Sequence, residues 1–151
     1  MKNLLLFLIY ICIVLFFCRC PIDREYRLEF YNLTSDTLGI YLALGNQTAY
    51  PDTILPADPL IRGAAPHEKW IVWIGISHEK MIRDLPKDTL SVFIIHDDTI
   101  KKYRWQEIRE GYKILKRYDL SLGDLTTLNF TIPYPPDEEM KDMKMYPPYR
   151  Q

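Results

Sequence analysis

The residues best able to do chemistry in this chain are one serine and three histidines. Gly75-Ile76-Ser77-His78-Glu79 contains the first glycine and the serine of the G-x-S-x-G turn that presents a nucleophile. Glu79 replaces the second glycine, which in that turn keeps the tight bend open. Ser77 is therefore expected to cap a short helix and not to attack a substrate.

The histidines, His67, His78 and His96, do not form a ligand pattern. None has a second ligand at helical spacing, and the H-E-x-x-H pattern of zinc enzymes is absent. His96-Asp97-Asp98 could suggest a metal site, but a strand end followed by a polar turn explains it more simply. Glycine-rich phosphate loops are also missing. The sequence predicts no metal site, no cofactor, no catalytic residue and no enzyme activity.

The remaining reactive side chains, the cysteines, all lie in the first twenty residues. Lys2 is followed by an uncharged run over residues 4–17, and then by Cys18-Arg19-Cys20-Pro21. A basic start, an apolar core and an abrupt polar exit are the parts of an export signal. The run is shorter than the ~20 residues of a membrane-spanning helix. Residues 1–20 are predicted to be a cleaved signal, with a retained N-terminal anchor or a buried helix as alternatives.

The end of this segment resembles a bacterial lipoprotein signal, in which the cysteine after the cut carries the lipid. Cys18 has Leu15 at −3 and the bulky Phe17 at −1. Cys20 has Phe17 at −3 and Arg19 at −1. Cys18 and Cys20 are both candidate lipidation sites, and Cys18 is favoured because Arg19 then follows the cut. The resemblance implies attachment to a membrane through an N-terminal lipid.

Composition excludes several classes of protein. The chain has 151 residues, with 19 basic and 20 acidic side chains, so no basic excess exists to bind nucleic acid. Residues 21–151 contain no cysteine, which excludes disulfides and thiolate zinc sites there. One domain is expected, and its core must be held together by apolar packing.

Alternating apolar residues and proline-rich turns predict a β-rich fold. The first two strands, at 26–31 and 38–44, are expected to form a hairpin, and both faces of 69–74 are apolar, which favours a central strand. Residues 21–136 are predicted to form a single-domain antiparallel β-sandwich with two or three short helices, or alternatively an α+β fold with a mixed sheet. Residues 137–151 are read as a Pro/Met-rich tail. The other predicted strands lie near 60–61 and at 89–96, 113–119 and 128–134, and the helices at 77–83, 104–111 and after Ser121.

The helix after Ser121 is the most specific local prediction. Ser121 and Asp124 have the spacing of a capping box, with aspartate at the usual glutamate position. Leu122, Leu125 and Leu128 then form an apolar stripe. This segment is expected to be structural.

The C-terminal third also carries a resemblance. Its motif runs Lys116-Arg117-Tyr118-Asp119-Leu120-Ser121-Leu122, then Asp124-Leu125, Leu128-Asn129, Thr131-Ile132 and Tyr134-Pro135-Pro136. It resembles a small family of exported lipoproteins of gut-type anaerobic bacteria, a family without an established activity. The resemblance implies a β-rich envelope lipoprotein and transfers no catalytic or binding residue.

The sequence therefore predicts a lipid-anchored protein of the bacterial cell envelope, on the periplasmic or the outer-membrane face, with a non-enzymatic binding or structural role. Its expected partners are the membrane and a protein or a glycan. Trp70, Trp73 and Trp105 could form an exposed recognition surface, although aromatic residues at strand and helix spacing are more often core. A small envelope hydrolase and an immunity-type inhibitor of a toxin are the alternatives.

Overall fold

The computed structural model describes residues 26–44, 50–51 and 54–149. The predicted signal and both candidate lipidation sites, Cys18 and Cys20, lie outside these residues. The described strands are β1 Tyr26–Asn32, β2 Leu38–Leu42, β3 Arg62–Ala64, β4 Lys69–Ile74, β5 Leu90–His96, β6 Lys116–Leu120, β7 Thr131–Tyr134 and β8 Met145–Tyr146. The α-helices are α1 His78–Arg83, α2 Asp97–Lys102, α3 Trp105–Glu110 and α4 Leu122–Thr127, with 3₁₀ turns at Pro86–Asp88 and Glu138–Met140.

These strands form two sheets, and the prediction of a β-rich sandwich is confirmed. The smaller sheet has the order β4-β1-β7, and the larger one has the order β3-β2-β5-β6-β8. Every pair in the larger sheet is antiparallel. The smaller sheet is mixed, because β1 runs antiparallel to β4 and parallel to β7. The helices number four in the described part of the chain, against the two or three expected.

The main core fills the space between the two sheets. Leu28 and Phe30 of β1 face inward, and Val92 and Ile94 of β5 meet them from the larger sheet. Tyr118 is fully buried in the same cluster. Alternation along each strand directs every second side chain into this layer.

A second core covers the outer face of the larger sheet. Phe93 and Ile95, on the opposite face of β5, pack with Ile108 of α3 and with Leu55 of the preceding loop. Strand β5 is buried on both faces, since the main core covers one face and the second core covers the other, and this agrees with its apolar sequence. Only the smaller sheet therefore presents an outer face that no described helix covers.

The predicted hairpin of the first two strands is wrong. Strand β1 pairs with β4 and β7, whereas β2 lies in the other sheet, between β3 and β5. Buried Asn32, at the end of β1, organises the crossing. Its side-chain amide donates to the backbone oxygen of Asp36 at 2.7 Å and to that of Ala65 at 2.9 Å. These bonds hold the loop that carries the chain from one sheet to the other.

The prediction of a central, doubly covered strand at Lys69–Ile74 is also wrong. Strand β4 is an edge strand of the smaller sheet. Trp70 and Val72 are partly buried against the main core, whereas Ile71 and Trp73 are 40% and 60% exposed. The sequence shows that both faces of this strand are apolar, but it does not show whether other elements of the fold cover both faces.

The helical predictions at Ser77 and Ser121 are confirmed. The Ser77 hydroxyl accepts from the amide of Lys80 at the start of α1. In α4, Asp124 donates its amide to the Ser121 hydroxyl at 3.2 Å, and its carboxylate accepts from the Ser121 amide at 2.8 Å. Helix α2 occupies a segment that was expected to be a turn. No helix in the described part of the chain is long and apolar enough to cross a membrane.

The segment read as a tail takes part in the fold. Met140 is fully buried in the main core. Strand β8 pairs with β6, and its Met145 lies opposite Tyr118 in the register. The larger sheet therefore includes residues beyond position 136.

Candidate binding surface

The serine and the histidine of the nucleophile-like sequence serve the fold. Ser77 caps α1, with its hydroxyl 3.2 Å from the amide nitrogen of Lys80. The ring of His78 stacks on Phe130 with centroids 3.7 Å apart, and its Nε2 lies 2.9 Å from the backbone oxygen of Arg27. Both side chains are held by structural contacts, and neither lines a described hollow.

The other two histidines lie apart from them. His96 caps α2, where its Nδ1 accepts from the amide of Asp98 at 3.1 Å. The carboxylates of Asp36 and Asp98 lie 3.7 Å from its ring nitrogens. His67 is exposed in the turn between β3 and β4, with a φ of 57°. Among the described residues, no group of three histidine, cysteine, aspartate or glutamate side chains could hold a metal ion.

A buried polar cluster, which the sequence did not predict, lies on the helix side of the larger sheet. Ser91 donates its hydroxyl to Asp119 at 2.7 Å, and the Arg117 guanidinium binds the other carboxylate oxygen at 3.0 Å. Arg117 also donates to the hydroxyl of Tyr112. Ser91 and Asp119 face each other across β5 and β6 and are only 4% and 3% exposed. A serine inside an apolar strand, opposite an aspartate, is the signal that could have indicated this pair.

This cluster is a satisfied structural network. No buried side-chain nitrogen or oxygen in the described residues lacks a hydrogen-bond partner. An aspartate that accepts from both a hydroxyl and a guanidinium has its charge compensated inside the protein. The cluster therefore fixes the pairing of β5 and β6 in the most recognisable part of the sequence.

The three tryptophans have three different environments. Trp105 begins α3 and is half-buried, and its indole nitrogen donates to the backbone oxygen of Pro56 at 2.8 Å. Trp70 packs against the main core. Trp73 is 60% exposed on the outer face of the smaller sheet. Of the three, only Trp73 presents most of its ring to solvent.

Trp70 and Trp73 line an apolar, solvent-open groove of about 440 Å³. We call it the β4 groove, and its lining is Leu42, Leu44, Leu60, Arg62, Trp70, Ile71, Val72 and Trp73. Four of the eight large apolar side chains that are exposed in the described residues lie here, namely Leu44, Leu60, Ile71 and Trp73. Single exposed apolar residues are ordinary, but a contiguous set marks an interaction site.

The β4 groove exists because two sheet edges meet on one side of the sandwich. Strand β3 is the edge of the larger sheet and β4 is the edge of the smaller one. Residues 65–68 join them, and the amide of Glu68 donates to the backbone oxygen of Ala65 at 3.3 Å in that turn. So short a connection keeps the two edges side by side. The gap between them is the open seam of the sandwich.

Cationic side chains surround the apolar lining. Arg62 lies in the groove itself. On the adjoining outer face, Arg27 and Lys69 each lie 3.1 Å from a carboxylate oxygen of Glu29. Two cations share one carboxylate, so this face carries a net positive charge. The surface suits an apolar partner with polar acceptors at its rim.

No family model, no curated protein and no solved structure matches the chain.

Sequence reasoning identified part of this surface. It named Trp70 and Trp73 as candidates for recognition, and the structure brings both into the β4 groove. It missed Leu44, Leu60 and Arg62, because these come from segments distant in sequence that meet only when β2, β3 and β4 are placed. Trp105 lies elsewhere, beside a smaller hollow of about 330 Å³ that includes Asp58, Ile61 and Tyr103.

Proposed function

We propose that this chain is a lipid-anchored protein of the bacterial cell envelope with a non-enzymatic binding role, and that the β4 groove is its binding surface. The observation that carries the proposal is the concentration of exposed apolar side chains along the open seam, led by Trp73 at 60% and Leu60 at 67% exposure. Leaving such a surface in water is unfavourable, and burying it against a partner releases that free energy.

The groove has the composition of a binding site. It is mainly apolar, and one cation, Arg62, provides a directional contact. Aromatic and arginine side chains are the types that contribute most to protein interfaces. A protein partner fits this lining best, and a glycan stacked on Trp73 is the second candidate.

The proposed anchor places this surface close to a membrane. Tyr26, the first described residue, follows Cys18 by only eight residues, a reach of roughly 27 Å when extended. Tyr26 pairs with Ile74 in the register of β1 and β4, so the chain enters the fold beside the groove. A partner in the same membrane would therefore be met at high local concentration.

Site-specific photo-crosslinking in intact cells tests the proposal. A photoreactive residue at Leu60, inside the β4 groove, should give covalent adducts with a partner. The matched control is Glu110, which is also exposed but lies on α3. Adducts from Leu60 and none from Glu110 are the expected result. Equal yields from both positions, or none from either, would reject the groove as the binding surface.

A further inference from the structure

One edge of strand β4 pairs with no other strand in the described part of the chain. Among the described residues, β4 pairs with β1 alone. The amide of Asn32 donates to the backbone oxygen of Glu68 at 3.0 Å, so Glu68 directs its backbone groups toward β1. Alternation in an antiparallel pair then directs those of Trp70 and Val72 to β1 as well. The backbone groups of Lys69, Ile71 and Trp73 therefore point away from the sheet.

Such an edge is a template for another strand. Native sheets commonly block exposed edges with charges, prolines or bulges. Here Lys69 is the single charge on the strand, and Ile71 and Trp73 are exposed apolar side chains with outward backbone groups. The edge also forms one wall of the β4 groove. Pairing with a further strand would satisfy the backbone groups and cover these two side chains together.

We propose that the occupant is a second copy of this chain, whose β4 pairs antiparallel with β4 about a twofold axis through Ile71. In this register Ile71 lies opposite Ile71 of the second copy. Lys69 lies opposite Trp73 of the second copy, and Trp73 opposite its Lys69. The product is a continuous six-stranded sheet with the order β7-β1-β4-β4-β1-β7.

The side chains of β4 are self-complementary in this register. Lys69 and Trp73 are equally distant from Ile71, so the axis places each lysine side chain opposite an indole ring. In the single chain the Lys69 ammonium lies 3.1 Å from the Glu29 carboxylate and over the ring of Tyr31, so a cation–π contact with the indole requires the lysine to turn toward the new edge. Arg27 already lies opposite Trp73 within its own sheet. In this register each indole would have Arg27 of its own sheet opposite it on one side and Lys69 of the second copy on the other. An axis through Lys69 would instead oppose two ammonium groups, and an axis through Val72 would place Lys69 opposite Gly75.

The pairing rests on the proposed function for its strength. A single six-residue edge buries little surface, so it should be weak in dilute solution. Two chains held on one membrane meet at a much higher effective concentration. A twofold contact between identical surfaces also closes on itself and does not grow into a fibre. The lipid anchor thus makes a weak edge contact sufficient.

Cysteine cross-linking of the full chain in membranes tests the register. In a hydrogen-bonded antiparallel pair the Cα atoms are about 5.5 Å apart, within the range that a disulfide spans. Ile71→Cys should therefore give at least about tenfold more disulfide-linked dimer than Ile76→Cys. Ile76 is the matched control because Ile71 and Ile76 are both 40% exposed. The wild-type chain measures the background from the native cysteines.

A mixed experiment checks the same register independently. Chains carrying Lys69→Cys and chains carrying Trp73→Cys should link to each other when produced together. Neither should link to itself beyond the wild-type background, because each position lies two residues from the axis. Self-linking of either chain at the mixed yield would overturn the register.

Disulfide formation can trap rare collisions between chains, so the dimer fraction is also measured without a covalent cross-link. Ile71→Asp places two carboxylates on the axis and should lower the dimer fraction of labelled full chains in vesicles about tenfold, because like charges directly opposite repel. Ile76→Asp should leave the fraction unchanged. Equal melting temperatures for both variants would show that the monomer is intact.

The outcomes separate this inference from the proposed function. Membrane-bound chain with preferential cross-linking at Ile71 supports both. Membrane-bound chain that cross-links equally at Ile71 and Ile76 overturns the pairing and leaves the anchor standing. Chain in the soluble fraction that still links at Ile71 supports the pairing and rejects the anchor. A disulfide from Ile71→Cys to a different protein overturns the second copy in favour of a foreign strand.

Discussion

Trp70 and Trp73 lie three residues apart in β4 and point to opposite faces of the same sheet. Trp70 packs on the main core, whereas Trp73 is 60% exposed beside Ile71. The same residue type therefore serves stability at one position and is free for recognition at the other. Alternation along a strand is sufficient to produce this division.

Truncating the two tryptophans should separate these roles. Trp70→Ala should lower the free energy of unfolding by about 2–4 kcal/mol, because it removes a large ring that packs against the core. Trp73→Ala should change it by less than about 1 kcal/mol, as exposed substitutions usually do. Denaturant unfolding of both variants measures the difference. Equal losses would mean that Trp73 is packed in the folded chain.

The anchor prediction concerns the two cysteines before the described fold. Replacing Cys18 and Cys20 by serine should release the protein from the membrane fraction, because the proposed anchor is the lipid that one of these cysteines carries. Cell fractionation with immunoblotting detects the change, and mass spectrometry of the N-terminus identifies the acylated residue. A double variant that stays in the membrane with residues 1–17 intact would establish a retained apolar helix instead.

The capped helix near the C-terminus should be structural. Leu125 is fully buried, so Leu125→Ala should cost about 2–5 kcal/mol of unfolding free energy. Ser121→Ala removes the cap and should cost about 1 kcal/mol. Thr126→Ala, on the exposed side of the same helix, is the control. Thermal melts rank the three variants.

Asp124 gives the sharpest check on that structural role. Asp124→Ala should lower the melting temperature and leave cross-linking from Leu60 intact, since the carboxylate is occupied by the cap. A variant that melts normally but loses its partner would contradict the structural role and make this acidic residue a functional one.

The buried phenol of Tyr118 should make the folded protein less stable at alkaline pH. Burial, together with the charges of Tyr134 and Asp137, raises the pKa of its phenol well above the ordinary value. Below pH about 10 the phenol is neutral in both the folded and the unfolded chain, and its contribution to the free energy of unfolding is fully present. Above that pH the unfolded chain loses the proton while the folded chain keeps it, so stability falls as pH rises.

Tyr118→Phe should reduce this alkaline slope. The variant loses the hydrogen bond to the backbone oxygen of Pro133, 3.1 Å away, and should be about 1 kcal/mol less stable at neutral pH. Its free energy of unfolding should then fall less steeply than that of the wild type above pH 10. Burial also raises the pKa of Tyr134, which is only partly buried, so Tyr134→Phe should reduce the slope less. Parallel slopes for the wild type and Tyr118→Phe would show that ionisation of Tyr118 does not cause the loss of stability at alkaline pH.

Local signals in the sequence predicted local structure well. The spacing of Ser121 and Asp124 predicted both the cap and the inward face of α4, because capping depends on neighbouring backbone groups alone. Ser77 predicted the start of α1 for the same reason. Alternation also predicted that Leu28 and Phe30 share one face of β1, and both are buried in the core.

Pairing between distant strands could not be predicted in the same way. The alternation in β1 and β2 suits a hairpin as well as it suits two strands of different sheets, and buried Asn32 decides between them through bonds to a distant loop. The β4 groove escaped prediction for a related reason. Leu60 and Trp73 are far apart in sequence, and only the side-by-side placement of two sheet edges brings them into one surface.

The most direct measurement of the central claim is the accessibility of Trp73 in living cells. Hydroxyl-radical labelling with mass spectrometry gives the oxidation of Trp73 relative to Trp105, whose half-buried ring lies outside the groove. If a partner covers the β4 groove, this ratio should be about threefold lower in intact cells than in the purified Cys18→Ser/Cys20→Ser chain, because partners exclude water from the centre of an interface. An equal ratio in both preparations would mean that the open seam is bare in the envelope, and would contradict its role as a binding surface.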